Sequence, residues 1–270
     1  MPTNNNFSTH CSLALIGVLA AGQAVALVTD VKIDDPEIKA CMERTVPDKA
    51  MTQHVTLRLF NGPDLINTTG ADLFWKRDDE GRSRALIRVT EPRDRAGIAV
   101  LAIERGEGDP DLSVYLPETR KARRVSGNTI DASMFGTDFS YEDFAHFQGM
   151  ATDSNTSRLA DQDMQGHPTY VLETVPASDG SKYSKILSYI DREQCTLAKI
   201  EFFAKNGSIL KELVVPREDV REVSSRWVPH RVILNDVKRD SRTELTVDKI
   251  AIDPELSENM FSATKFGAGQ

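Results

Sequence analysis

Catalytic and metal-binding groups need particular partners at particular spacings, and few such groups lie close together here. His54, His146, His167 and His230 are isolated, at intervals unlike those of metal ligands. The chain has no GxSxG, HExxH or CxxC run, and no glycine-rich phosphate loop between a strand and a helix. Asp138, Asp143 and His146 form the tightest polar cluster. Asp143 and His146 share a helical face and could hold a metal, but the same residues also read as a capped, solvated helix. Asp34-Asp35 and Asp78-Asp79 look like cap and turn residues. These residues do not support catalysis, a metal site or a cofactor, so binding is the function to look for.

Cys11, Cys41 and Cys195 are the only cysteines. Residues 12–26, SLALIGVLAAGQAVA, form an apolar run ending in Ala24-Val25-Ala26, a small-x-small cleavage pattern. Residues 1–26 are therefore expected to be a cleaved signal peptide and residues 27–270 one exported domain. Cleavage would remove Cys11. Two cysteines in an oxidising compartment predict a Cys41–Cys195 disulfide, with two buried thiols as the alternative. The net charge of −8 argues against nucleic acid as a partner. No later stretch is long and apolar enough for a membrane span.

The elements that must position any binding surface follow from periodicity. Asp35 can cap a helix whose first turn holds Pro36, with Ile38, Cys41 and Met42 on one face. The period then changes to two: Val55, Leu57 and Leu59, then Leu73 and Trp75, then Ile87 and Val89 alternate with mostly polar neighbours. Segment 97–104 is apolar on both faces, so something must cover its second side. Strands resume at 156–163, 169–175, 184–191, 196–204, 208–215, 227–237 and 242–251, and a last short helix is expected around 255–260. About eleven strands with short connections describe a mainly β (α+β) antiparallel meander that must curl. Segment 127–155 breaks the rhythm. It mixes Gly, Asp, Phe and Met around one short helix capped by Ser140.

Two stretches of that middle region carry a specific signal: VYLPETRKARRVS at 114–126 and MFGTDFSYEDF at 134–144. Together they resemble the outer-membrane lipoprotein-sorting family of LolA/LolB-like fold, in which a LYLP…RRVRRI strand pair precedes F-GTDFSYEDL. Tyr115, Leu116, Pro117, Arg120, Arg123 and Arg124 match the first motif, and Phe135 through Asp143 match the second. The order of elements also agrees from about 34 to 266. The resemblance implies a half-closed β-barrel whose concave apolar face is plugged by two or three helices. It also implies a periplasmic location, a lipid or acyl-chain ligand, and association with an RND/MMPL-type exporter. A transporter adaptor that carries no lipid, and a lipoprotein chaperone, are alternative readings.

On that frame, Leu57, Leu59, Leu73, Trp75, Ile87, Val89 and Val100 are expected to face the ligand, with Phe139 or Phe144 packed over them. Phe74, Leu86 and Leu101 are the alternates if the strand phase is reversed. Gly136, Thr137, Asp138, Tyr141, Glu142 and Asp143 would form a lid and its hinge. Gly136 would supply a positive φ and Asp138 an Asx turn onto backbone amides. Arg120, Arg123 and Arg124 would line the rim, with Arg123 or Arg124 latching onto Glu142 or Asp143.

Overall fold

The computed structural model describes residues 35–106, 108–150, 155–177 and 180–267; the expected signal peptide lies outside them. Helix α1 (Pro36–Glu43) starts where Asp35 accepts the backbone N–H groups of Glu37 and Ile38. Alternating hydrophobicity then builds β1 (Ala50–Asn61), β2 (Asp64–Arg77), β3 (Ser83–Glu91), β4 (Ala99–Ile103), β5 (Asp111–Leu116) and β6 (Lys121–Val125). After helix α2 (Tyr141–Phe147) come β7 (Asn155–Arg158), β8 (Gln162–Met164), β9 (His167–Val175), β10 (Tyr183–Asp191), β11 (Leu197–Ala204) and β12 (Ile209–Val214). The chain continues through β13 (Val220–Val223), β14 (Arg226–Pro229), β15 (Arg231–Asp236) and β16 (Ser241–Ile252).

Fourteen strands form one antiparallel sheet in the order β6-β5-β4-β3-β2-β1-β16-β15-β12-β11-β10-β9-β7, with β8 also on β9. Its edges do not pair, so the barrel is half-open. The sheet is not one consecutive meander. Two meanders run outward from a central pairing of β1 with β16, in register from Met51↔Ile252 to Asn61↔Ser241 with one bulge. This topology dictates where the helix goes. β6 and β7 follow each other in sequence but occupy opposite edges, so the segment between them must cross the sheet. Its described part, to residue 150, lies on the concave face and carries α2.

Three expectations need correction. The strand count exceeds eleven, because short edge and hairpin strands interrupt the periodic runs. The single strand expected over 227–237 is broken: β14 pairs with β13 in a separate hairpin, and only β15 joins the main sheet. Pro229 ends β14, having no N–H for a ladder, and the His230 N–H turns aside to the Asp219 carbonyl at 2.8 Å. The last helix is a short 3-10 turn, Glu258–Phe261, and it lies on the face opposite the plug. There Phe261 and Phe266 pack with Leu86, Ala99 and Leu101, which supplies the second cover required by segment 97–104.

The main core lies between the concave face and the crossing segment. Helix α1 covers the β9–β10 end of the same face, through Ile38, Cys41 and Met42 against Tyr170, Leu172 and Ile190. Cys41 and Cys195 are disulfide-bonded across 154 residues, tying α1 to the β10–β11 turn.

Candidate functional site

The crossing segment is built as a plug. Phe135 and Gly136 both take positive φ, +56° and +67°, which folds the chain back so that the Met134 N–H reaches the Phe139 carbonyl at 2.7 Å. Thr137 Oγ1 donates to the Met134 carbonyl at 2.8 Å. Ser140 then caps α2 reciprocally with Asp143: Ser140 N–H to Asp143 Oδ2 is 2.8 Å and Asp143 N–H to Ser140 Oγ is 3.1 Å. The turn is held from outside by Arg95, which donates to the Phe135 carbonyl at 3.0 Å and to Asn67 Oδ1 at 2.7 Å.

One side of the plug is apolar. Met134, Phe139, Phe144 and Phe147 face Val55, Leu57, Leu73 and Ile87 from one half of the sheet, and Val232, Leu245 and Val247 from the other. Between them is a cavity of about 50 Å³. Small-molecule sites usually run roughly 300–1,000 Å³, so the plug fills most of the space between itself and the two halves of the sheet. Among the residues expected to face a ligand, Leu57, Leu73, Ile87, Phe139 and Phe144 line the cavity. Trp75, Val89 and Val100 belong to the same core cluster but lie outside the lining. Leu59 is only half-buried and also outside it, two residues nearer the β1–β2 hairpin. Phe74, Leu86 and Leu101 lie on the opposite face, under the C-terminal segment.

The other side of the plug is polar and buried. Lys211, on the inward face of β12, donates to Asp143 Oδ2 and to the Asp138 carbonyl, both at 2.6 Å. The Tyr183 hydroxyl donates to Asp143 Oδ1 at 2.7 Å. Asp138 does not make the expected Asx turn; its carboxylate accepts Ser241 Oγ at 2.6 Å and Thr243 Oγ1 at 2.8 Å, both from β16. Lys211 and Asp143 side chains are 4% and 0% exposed, so this ion pair is shielded from solvent and salt.

The expected rim latch is not formed. Arg120, Arg123 and Arg124 are exposed, and Arg124 pairs instead with Asp111 at 3.0 Å. Arg123 and Arg124 sit on an edge strand of one half of the sheet, whereas Asp143 meets residues of β10 and β12 in the other half. Lys211 was the residue missed. Its only sequence signal is a lysine at the inward parity of Leu213, where an apolar side chain would be expected.

Burial and charge set the protonation of the plug. Burial opposes ionisation of Asp143, but Lys211, followed by the Tyr183 and Ser140 bonds, holds its carboxyl below the usual range. Glu142 lacks such a cation bond. Burial pushes it up to about 7, opposed by a Ser181 hydrogen bond and reinforced by Asp143. His146 is held down to about 4 by burial, so it is neutral at pH 7. Thus α2 is capped as expected but is not a solvated helix. Among the described residues, no group of three His, Cys, Asp or Glu side chains is placed to hold a metal, and no helix is long and apolar enough to cross a membrane.

A family model described as "Uncharacterized protein" matches residues 81–267. No protein of curated function matches the chain. Among solved structures, an outer membrane lipoprotein-sorting protein domain from Vibrio parahaemolyticus aligns with a TM-score of 0.76 at 22% identity, covering 86% of this chain and 97% of that one. A DUF1329 family protein from Desulfovibrio piger aligns with a TM-score of 0.75 at 19% identity, covering 84% and 94%. A LolA superfamily protein from Nitrosomonas europaea aligns with a TM-score of 0.66 at 19% identity, covering 84% and 96%. The chain belongs to the family of that "Uncharacterized protein" model, and its architecture is the half-open fold of lipoprotein-sorting and LolA-superfamily proteins.

Proposed function

We propose that this protein is a periplasmic carrier that takes a lipid, or the acyl part of an acylated molecule, between its concave sheet and the α2 plug. It then passes that cargo between membrane components, with an RND/MMPL-type exporter as partner. One observation carries the reading. The plug meets the sheet through an apolar interface of phenylalanines and aliphatic side chains, while its polar anchors are concentrated at the N-terminal end of α2. Such a plug can swing from one end and exchange its own apolar contacts for those of a hydrocarbon chain. Each methylene then buried stabilises the complex by about 0.8 kcal/mol without any polar chemistry. Structural likeness to a protein described as lipoprotein-sorting supports the same reading.

Native mass spectrometry of gently purified protein, together with transfer of a fluorescent acyl lipid between donor and acceptor vesicles, tests this function. Co-purifying lipid and transfer above the spontaneous rate are expected. Absence of both would overturn the carrier reading, and transporter association without either would mark an adaptor.

A further inference from the structure

The cavity is apolar except for two amide side chains, Gln53 and Gln148. Gln53 is engaged, its Nε2 donating to Met51 Sδ at 3.2 Å. Gln148 is different. It caps the C-terminal end of α2, its backbone N–H satisfied by carbonyls of the last turn, and the residue is only 3% exposed. Among the described residues its Oε1 has no hydrogen-bond partner, and Gln148 lines the space between plug and sheet.

An unpartnered buried carbonyl is costly in an apolar site, and replacing it by a group of the same shape without the acceptor should be neutral or favourable. It becomes useful when a donor arrives from the cargo. Gln148 is well placed for this, at the end of α2 held by apolar contacts and away from the Lys211–Asp143 anchor.

Building on the carrier reading above, we infer that the cargo bears a hydrogen-bond donor, a hydroxyl or an N–H, on or next to its buried hydrocarbon, and that Gln148 is the acceptor that selects it. Chains linked only through esters offer Oε1 no donor, so they leave it unpaired and gain less than chains that carry one. Aliphatic walls cannot make this distinction, because they respond to size and not to polarity, whereas a site with a buried acceptor penalises a ligand that leaves it unpaired.

The test uses the full exported protein and displacement of a bound fluorescent acyl probe by three ligands of equal chain length: a primary alcohol, a primary amide and a methyl ester. The alcohol, the amide or both should displace the probe at about three- to tenfold lower concentration than the ester. Which of them does so identifies the donor as O–H or N–H. Gln148→Met keeps length and volume while removing the carbonyl. It should erase the preference and keep Tm equal or higher. A preference for the ester, a preference that survives in Gln148→Met, or a lowered Tm in that variant would overturn the inference. If the three ligands displace the probe equally, only this inference falls. If the probe itself does not bind, the carrier reading falls and takes the inference with it.

Discussion

Replacing Lys211 by Met should release the plug. The Lys211 ammonium makes two charge-assisted bonds of 2.6 Å, to Asp143 Oδ2 and to the Asp138 carbonyl, from a side chain only 4% exposed. Bonds of this kind contribute about 1.5–3 kcal/mol each. Removing one partner of a buried pair typically costs about 3–5 kcal/mol, because the remaining charge is left uncompensated. Asp143 would keep its bonds from Ser140 and Tyr183, so we expect a loss near the lower end, about 3 kcal/mol. The double variant Lys211→Met with Asp143→Asn removes both charges and should recover most of that loss. In the wild type the Asp143 pKa is depressed, so its contribution is present above the ordinary carboxylate range and is lost only as pH falls through the lower folded value. In Lys211→Met the same carboxyl is pushed up by burial instead. Its penalty is therefore full at neutral pH and fades on acidification, narrowing the gap to wild type. Urea unfolding at neutral and mildly acidic pH measures all of this, and vesicle transfer should speed up if opening breaks the pair. A single-variant loss below about 1 kcal/mol, or a double variant that simply adds the two losses, would refute the anchoring role.

Two further outcomes follow from the same geometry. Glu142 is pushed up to about 7, so it favours folding while protonated and opposes it as pH rises from the ordinary glutamate range through 7. Glu142→Gln should therefore raise Tm above pH 7 and raise it far less at pH 5; an equal shift at both would contradict the assignment. Reducing the Cys41–Cys195 bond, which spans 154 residues, should cost about 2–5 kcal/mol. Unreduced protein should show neither thiol to an alkylating reagent, and two alkylated cysteines would count against the bond.

Some of this molecule is written in local sequence. Period-two alternation groups Leu57, Leu73 and Ile87 on one face, because adjacent side chains of a strand must point to opposite sides, but only the tertiary structure makes that face the concave one, with Leu86 and Leu101 on the other. Asp35 and Ser140 announce their helices because a short polar side chain beside the first free N–H groups is a local requirement. Parity, however, does not tell how far along a strand a cavity extends, so Trp75, Val89 and Val100 share the face without lining the space. The charged partners were also out of reach. Arg123, Arg124 and Glu142 are close in sequence, but β6 is an edge strand and α2 meets the other half of the sheet. Only the pairing of β1 with β16 decided that. It places β6 and β7 at opposite edges, drives the segment between them across the concave face, and brings Asp143 to Lys211, 68 residues away. A long-range pairing of this kind depends on which strands find each other in three dimensions, and no local period encodes it.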